Sequence, residues 1–143
     1  MNYPMSKRMN NPITGEIKKS KYGNKKVIYQ GIKFDSKKEK ERYIILRELE
    51  QLGQISDLEL QKKFELQPSY KLNGKKIREI SYVSDFTYYK LYTRNDIPIK
   101  EFIVEDVKGC RTNIYKLKKK MFAYRYQTEI TEVWAYDKSL HRR

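Results

Sequence analysis

The sequence contains very little cysteine and histidine. Cys110 is the single cysteine and His141 the single histidine in a chain of 143 residues. One thiol cannot form an internal disulfide or a cysteine zinc site, and one imidazole cannot supply the paired ligands of a zinc finger. These shortages argue against zinc fingers, histidine–metal nucleases and histidine general-base chemistry. Any catalysis is therefore expected to use carboxylates, lysine, tyrosine or serine.

Long apolar runs are also missing. No stretch approaches the roughly 18 apolar residues of a membrane-spanning helix, and no segment has the apolar core of a signal peptide. We therefore expect a cytoplasmic protein. The length predicts one domain with a modest hydrophobic core.

The charge of the chain is strongly unbalanced. It carries 32 Lys and Arg against 18 Asp and Glu, a formal net charge of +14. Such an excess favours a polyanionic partner, most often nucleic acid, with strongly salt-dependent binding. Charge alone fits a basic RNA-binding protein as well as a DNA-binding one. Thirteen tyrosines, five phenylalanines and one tryptophan argue against a disordered chain.

Local patterns predict an ordered domain after a basic arm. Residues 1–24 are rich in Lys, Asn, Pro and Gly and are interpreted as a flexible arm, whereas residues 25–143 are expected to form a single domain. This order of elements predicts a mixed α/β sandwich whose helices cover a central sheet. The predicted elements are a hairpin around Gln30-Gly31, a helix over 36–52, strands over 60–70, 78–92 and 101–109, a polar connector over 93–100, a second helix over 112–126 and a strand over 130–136.

Both predicted helices carry an N-cap and an apolar stripe. Ser36 and Glu39 have the spacing of a capping box at the first helix, and Thr112 can cap the second. The stripes expected to face the core are Tyr43, Leu46, Leu49 and Leu52 in the first helix, and Ile114, Leu117, Met121 and Tyr124 in the second.

Acidic residues interrupt two of the predicted strands. Because strand side chains alternate faces, Asp106 and Lys108 share one face of the segment VEDVKG and Glu105 points to the other. Asp85 interrupts the segment from residue 80 to 89, and hairpin-like pairing of the two strands would bring Asp85 near Asp106. Two buried carboxylates repel each other unless a divalent cation lies between them. A metal held there could activate water, and Lys108 could orient that water or offset developing charge.

The spacing of Asp85, Asp106 and Lys108 on two neighbouring strands resembles the pattern of the PD-(D/E)XK nuclease superfamily. An aspartate at a strand start, followed on the next strand by acid-x-Lys, matches Asp85 and the run Asp106-Val107-Lys108. Ser84 stands where the proline of the family's name would be, and Glu39 matches the helical glutamate that precedes the sheet. Over about residues 21–126, in the runs KKVIYQGIKFDSKKEKERY, REISYVSDFTYY and VEDVKGCRTNIYKLKKK, the chain is similar to a small phage-encoded group of that superfamily.

The resemblance implies a restriction-endonuclease-like core of helix, three strands, helix and strand, with a mixed central sheet and an N-terminal hairpin. It implies a Mg²⁺- or Mn²⁺-dependent endonuclease of the Holliday-junction-resolvase type, acting on branched DNA in phage recombination or DNA processing. Such an enzyme would be a homodimer in the host cell cytoplasm. Asp85, Asp106 and Glu39 would hold the metal, and Lys108 would complete the catalytic set.

Two alternative functions remain open at this stage. One is a general structure-specific nicking or flap nuclease, which would be indifferent to junctions. The other is a non-catalytic basic nucleic-acid-binding module with the same fold, which would bind in the presence of EDTA and cut nothing. The clustered carboxylates weigh against the second alternative, because acids do not help a protein to bind phosphates.

Several residue roles also remain open. Glu39 and Glu41 lie about 200° apart around a helix, so only one of them can face the site. Glu105 is interpreted as a solvated or ion-paired residue. Gln61 and Gln67 flank a predicted strand, where a glutamine near the metal would fit related nucleases.

The second helix is a candidate nucleic-acid interface, because it directly follows the strand with acid-x-Lys. A solvated lysine face is the alternative for its cations, and core packing is the alternative for its tyrosine. The residues expected to contact nucleic acid are Lys116, Lys118, Lys119 and Tyr115.

Overall fold

The computed structural model describes residues 25–134, and it is an α/β structure with two helices and a mixed sheet. The α/β class and the mixed sheet expected from the sequence are confirmed. The predicted basic arm and the residues after Trp134 lie outside the described residues. The elements are β1 (Val27–Tyr29), β2 (Ile32–Phe34), α1 (Lys37–Gln51), β3 (Ile55–Leu60), β4 (Lys63–Gln67), β5 (Tyr70–Leu72), β6 (Lys75–Ile77), β7 (Ile80–Val83), β8 (Phe86–Arg94), β9 (Ile97–Lys108), α2 (Asn113–Tyr126) and β10 (Ile130–Trp134).

The main sheet has four strands in the order β10-β9-β8-β3. β3, β8 and β9 are antiparallel neighbours, whereas β10 runs parallel to β9 after the crossover through α2. The pairs β1–β2, β4–β7 and β5–β6 form separate antiparallel two-stranded ribbons. Among residues 25–134, no helix is long and apolar enough to cross a membrane.

Opposite faces of the central strand β9 carry separate apolar clusters. Ile103 and Val107 pack against the cluster that includes residues of α1. Val104 points to the opposite face of the sheet and belongs to the cluster that includes residues of α2. This alternation is the period of two that a strand imposes on its side chains. The buried residues on the α1 side are Phe34, Tyr43, Leu46, Ile55, Phe86 and Tyr88, and those on the α2 side are Phe64, Leu66, Tyr82, Val104, Tyr115, Phe122 and Ile130.

The segment predicted as one strand over 78–92 is two strands, so that prediction is wrong. β7 pairs with β4 and ends at Val83, and β8 pairs with β3 and β9 from Phe86 onward. Ser84, fully buried, donates from its backbone N–H to the carbonyl of Lys62 at 3.0 Å. The break reverses the alternation of faces: Tyr82 packs on the α2 side and Phe86 on the α1 side.

Two other connections differ from the sequence prediction. The expected polar connector over 93–100 is a tight turn at Asn95 and Asp96, both with positive φ (49° and 61°), between the long strands β8 and β9. The run 60–70 is divided, because β3 ends at Leu60 and β4 begins at Lys63. The N-terminal hairpin around Gln30-Gly31 is confirmed.

The helix caps are as expected, but the apolar stripes are only partly so. The Ser36 hydroxyl accepts from the Glu39 N–H at 3.2 Å, and Thr112 Oγ1 accepts from the Tyr115 N–H at 3.1 Å. In α1, Tyr43 and Leu46 are buried, whereas Leu52 is exposed.

The predicted core stripe of α2 is wrong at three of its four positions, whereas Met121 is confirmed because it packs against the cluster on the α2 side. The face that packs on the sheet carries Tyr115 and Phe122, which are buried in the same cluster, and the Phe122 ring contacts Phe64 of β4 and Tyr82 of β7. The members of the predicted stripe that are instead largely exposed are Ile114, Leu117 and Tyr124.

Candidate active site

Asp85 lies at the break between β7 and β8, and the neighbouring strand β9 fixes its position. Its backbone N–H donates to the carbonyl of Glu105 at 3.1 Å. Its Oδ2 accepts from the backbone N–H of Val107 at 2.7 Å. Asp85 is therefore held against the main chain on either side of Asp106, by its backbone N–H on one side and by its carboxylate on the other.

Asp106 and Lys108 form a compact buried pair on β9. Lys108 Nζ lies 2.8 Å from Asp106 Oδ1, and both side chains are largely buried. The Tyr82 hydroxyl donates to Asp106 Oδ2 at 2.9 Å. The Lys108 ammonium also lies 3.5 Å from the centre of the Tyr115 ring, in a cation–π contact. The acid and the lysine that share a strand face in the sequence therefore meet in the structure.

Burial and a neighbouring carboxylate raise the pKa of Asp85 to about 8. Desolvation by burial is the main cause, and the charge of Asp106 is the second. The hydrogen bond from Val107 and the charge of Lys108 oppose the rise, and the charge of Glu39 adds to it. Without a further cation, this cluster therefore disfavours full ionisation of its carboxylates.

Glu39 faces the same region from the first turn of α1. It lines a cleft of about 160 Å³ together with Asp85 and Gln61. Burial raises the pKa of Glu39, and the charges of Asp35 and Asp106 contribute to this rise. Glu41, in contrast, is exposed and pairs with Lys37 at 3.8 Å. The structure thus turns Glu39, and not Glu41, toward Asp85.

Glu39 also takes part in the capping box at the start of its helix, whose N-cap is Ser36. Its Oε2 accepts from the Asp35 N–H at 3.2 Å, and its Oε1 accepts from the Ser36 hydroxyl at 3.1 Å. The capping box and the cleft-facing position therefore coexist in one side chain.

Of the two glutamines that the sequence offers near a metal, Gln61 is the one that lines the cleft. Its backbone N–H donates to the Asp85 carbonyl at 3.0 Å, and its φ of 51° places it at the sharp corner between β3 and β4. Gln67 lies at the other end of β4, opposite Ile80. The positive φ at Gln61 could not be recognised from the sequence, because no glycine or asparagine marks that corner.

Glu105 lies on the opposite face of β9 from Asp106, as strand parity predicts, but it is fully buried and not solvated. Arg42 of α1 binds it with two hydrogen bonds, Nε–Oε1 at 2.6 Å and Nη2–Oε2 at 2.8 Å. The Tyr88 hydroxyl donates to Glu105 Oε2 at 2.7 Å. Of the two interpretations of Glu105, the ion pair is therefore correct, and it ties α1 to the strand that bears Asp106.

Glu132 of β10 is a further acid near α2, and it accepts hydrogen bonds from three side chains. Its Oε1 accepts from Lys119 Nζ at 2.8 Å and from the Tyr115 hydroxyl at 3.0 Å, and its Oε2 accepts from Arg111 Nε at 2.9 Å. These hydrogen bonds, chiefly the one from Arg111, lower the pKa of Glu132 to about 2. Nothing in the sequence near Glu132 indicated this role.

The residues expected to contact nucleic acid from α2 have different environments. Tyr115 is buried beneath Lys108, so its ring packs in the core and has no open face for base stacking. Lys119 is half-buried and paired with Glu132, whereas Lys116 is exposed and Lys118 half-buried. Of the three lysines, Lys116 is therefore the one most open to solvent.

Metal ligands are sparse in this arrangement. Within residues 25–134, no three or more His, Cys, Asp or Glu side chains form a group that could by itself hold a metal ion. Asp85 and Asp106 are the carboxylates joined by the same short stretch of β9, and Glu39 approaches them from α1.

The chain belongs to the family described as "Protein of unknown function (DUF1064)", whose model matches residues 19–141. No curated protein matches the chain. No solved structure matches it either.

Proposed function

We propose that this protein is a Mg²⁺- or Mn²⁺-dependent endonuclease that hydrolyses phosphodiester bonds in branched DNA. The observation that carries the proposal is that Asp85 is bonded to the backbone of β9 between Asp106 and Lys108, which form an ion pair, while Glu39 lines a cleft with Asp85. This set agrees with the acids and the lysine of the PD-(D/E)XK nucleases, which the sequence resembles.

The order of elements supports the same proposal. α1 precedes three antiparallel neighbours, β3, β8 and β9, and the chain then crosses through α2 to β10. That order is compatible with the restriction-endonuclease-like core that the resemblance implies. The ribbon β4–β7 and the hairpin β5–β6 are inserted between the first and second of these strands.

The acids of the site fit a divalent cation. Mg²⁺ typically takes one or two carboxylates and completes its coordination with waters and phosphate oxygens, so a ready-made group of three acids is not required. A cation would relieve the repulsion that raises the pKa of Asp85. Asp85 and Asp106 would hold the metal, and Glu39 would assist from across the cleft.

Each residue of the site has a role in hydrolysis that follows from its position. A bound Mg²⁺ would supply Lewis-acid stabilisation of the phosphate and a water that loses its proton more easily. Lys108, held by Asp106 and the Tyr115 ring, presents a fixed ammonium to orient the attacking water and to offset negative charge on the phosphate. Tyr82 keeps one oxygen of Asp106 in a fixed direction.

The preference for branched DNA rests on the resemblance and on charge. The net charge of +14 suits a substrate with several phosphate-bearing arms. Symmetric cutting of two strands at a junction would require two copies of the site, so we propose a homodimer. A nicking or flap nuclease with the same chemistry is the second candidate, because the site chemistry itself does not depend on branching.

The proposal is tested by cleavage of four-way junction, flap, duplex and single-stranded DNA with the Lys108→Ala protein. We expect cleavage by this variant to fall about 10²-fold or more, because one preorganised charge near the phosphate is removed. The matched control is Lys100→Ala, which removes an exposed lysine of the same strand that pairs with Asp57. Equal cleavage by Lys108→Ala and wild-type protein in Mg²⁺ would remove the proposed chemistry.

The same panel separates the alternatives. Preference for the four-way junction supports a resolvase, and equal cutting of junction, flap and linear duplex supports general DNA processing. DNA binding that persists in EDTA, with no cleavage at any Mg²⁺ or Mn²⁺ concentration, would instead identify a non-catalytic binding module.

Glu39 and Glu41 provide an internal comparison on one helix. We expect Glu39→Gln to reduce the cleavage rate about tenfold and to raise the Mn²⁺ concentration needed for half-maximal rate, because Glu39 shares the cleft with Asp85. Glu41→Gln should leave both quantities unchanged, since Glu41 is exposed and faces Lys37. Rates and thermal midpoints should be measured together, because Glu39 also takes part in the capping box of α1. If the two variants behave alike in the metal titration, Glu39 does not belong to the site.

A further inference from the structure

The hairpin formed by β5 and β6, residues 70–77, stands apart from the rest of the described chain. Asn73 and Gly74 form its turn, with φ of 48° and 74°, as a two-residue hairpin turn requires. Within residues 25–134, neither strand contacts any other helix or strand. We call it the basic hairpin; it projects from the far end of the β4–β7 ribbon.

The cations of the basic hairpin have no acidic partners among the described residues. Lys71, Lys75 and Lys76 lie in the hairpin and Arg78 follows it, all exposed, and residues 70–78 contain no Asp or Glu. None of the four forms an ion pair within residues 25–134. By contrast, Lys63 of the neighbouring β4–β7 ribbon is paired with Glu79.

Two of these lysines are placed directly opposite each other. In the register of β5 and β6, Lys71 faces Lys76 across the ribbon, so their side chains lie on the same face. Like charges in directly opposite positions destabilise a strand pair. The other face carries the exposed Tyr70 and Leu72. The Lys71–Lys76 pair becomes favourable when an anion lies between or beside the two ammonium groups.

Protection of a sheet edge is the simpler explanation for exposed lysines on a strand. That purpose does not require two lysines in one cross-strand pair. The hairpin β8–β9 shows the contrast, because its exposed Lys90 lies opposite Glu101.

We propose that the basic hairpin binds the phosphate backbone of a duplex arm of the nucleic-acid substrate, with Lys71 and Lys76 each contacting a phosphate. A two-stranded β-ribbon fits the major groove of B-form DNA, which is about 12 Å wide. This inference rests on the proposed function, which identifies the substrate as DNA. It specifies in addition that the basic hairpin binds a duplex arm of that substrate.

The number of residues between the basic hairpin and Asp85 limits how far from the acidic site the hairpin can bind DNA. Asp85 follows Gly74 by eleven residues, and an extended chain spans at most about 3.3 Å per residue, so the tip lies at most about 36 Å from Asp85. This distance is about one helical turn of B-form DNA. The basic hairpin therefore contacts duplex within roughly one turn of the bond that is cut.

The test uses the full chain carrying Lys71→Thr and Lys76→Thr, since threonine keeps the strand preference and removes both charges. Binding to a four-way junction with 20-base-pair arms is measured by fluorescence anisotropy in EDTA between 50 and 200 mM salt. The slope of log K against log salt should become shallower by about 1.8, because two phosphate contacts are lost at about 0.9 each. We expect an affinity loss of about tenfold or more at 100 mM salt.

Three comparisons complete the experiment. Lys90→Thr with Arg94→Thr removes the same charge from the β8–β9 hairpin and should change the slope far less. Lys71→Arg with Lys76→Arg should retain wild-type binding, which shows that charge and not folding is measured. Single-stranded DNA should not distinguish wild type from the threonine variant, because it offers the hairpin no duplex arm.

An unchanged slope in the threonine variant, or an equal change in the Lys90 and Arg94 control, would overturn the inference. An equal loss on single-stranded DNA would overturn the assignment to duplex. Because the assay runs without divalent metal, its result is independent of cleavage. A slope change in a protein that never cuts DNA would sink the proposed function and leave the basic hairpin as a duplex-binding element.

Discussion

An Asp85→Asn protein is expected to lose DNA cleavage about 10³-fold or more and, at the same time, to become more stable than wild type above neutral pH. The loss follows because a metal-binding carboxylate contributes several kcal/mol to the transition state. The gain follows because the buried Asp85 carboxylate is disfavoured in the folded protein, where its pKa is about 8. Asparagine keeps an oxygen that can accept from the Val107 N–H, so the local hydrogen bond is retained.

The sign of the pH dependence follows from the raised pKa. In the unfolded chain Asp85 ionises near pH 4, whereas in the folded protein it stays protonated until about pH 8. Wild-type stability therefore falls as pH rises from about 4 to about 8, and this contribution is constant above pH 8. The difference between Asp85→Asn and wild type should grow across that window and reach several kcal/mol at pH 9, because each unit of pKa shift corresponds to about 1.4 kcal/mol.

Urea denaturation at pH 5, 7 and 9, without divalent metal, measures this difference. Asp57→Asn is the matched control, because the pKa of the exposed Asp57 is lowered by its hydrogen bond with Lys100 and its removal should bring no gain at high pH. Added Mn²⁺ should stabilise wild type and not Asp85→Asn. A variant that is less stable than wild type at every pH would contradict the repulsion between Asp85 and Asp106.

The second large effect concerns the ion pair between Arg42 and Glu105. Arg42→Met is expected to lower the free energy of unfolding by about 3–5 kcal/mol, because it leaves a buried carboxylate without its partner. Arg42→Met combined with Glu105→Gln should recover most of that loss, since no charge then remains buried and Tyr88 can still donate to the amide oxygen. Urea denaturation at pH 7 gives the three values.

Arg47→Met is the control for this pair, because Arg47 is an exposed arginine of the same helix that pairs with Glu50. Its effect should stay within about 1 kcal/mol. The folded double variant should still cleave more slowly than wild type, because the pair fixes α1, and with it Glu39, against β9. A double variant as unstable as Arg42→Met would mean that the cost arises from packing and not from the unpaired charge.

The sequence was most informative where short-range periodicity determined position. The spacing of Asp106 and Lys108 placed them on one face of a strand, and they form an ion pair there. The Ser36–Glu39 spacing predicted the cap of α1, which the structure contains. The pairing of β8 with β9 also follows from chain continuity, although the turn at residues 95–96 is tighter than expected.

Long-range partners could not be predicted from a single sequence. Arg42 and Glu105 lie 63 positions apart, and neither residue type indicates its partner. No glycine or proline marks the break at Ser84 in the sequence. The break is stabilised by hydrogen bonds from Ser84 to the carbonyl of Lys62, a residue 22 positions away. On α2, the buried Tyr115 and Phe122 replace most of the predicted stripe, since the Phe122 ring packs against the aromatic rings of β4 and β7.

The anchoring of Asp85 to a backbone amide has an evolutionary consequence. Since the donor at position 107 is a peptide N–H, the orientation of the carboxylate does not depend on which side chain that position carries. A mutation at position 107 can therefore leave this hydrogen bond in place, with proline as the one amino acid that removes the donor. The side chain at position 107, which packs against the cluster on the α1 side, is thus free to change without loss of this anchor.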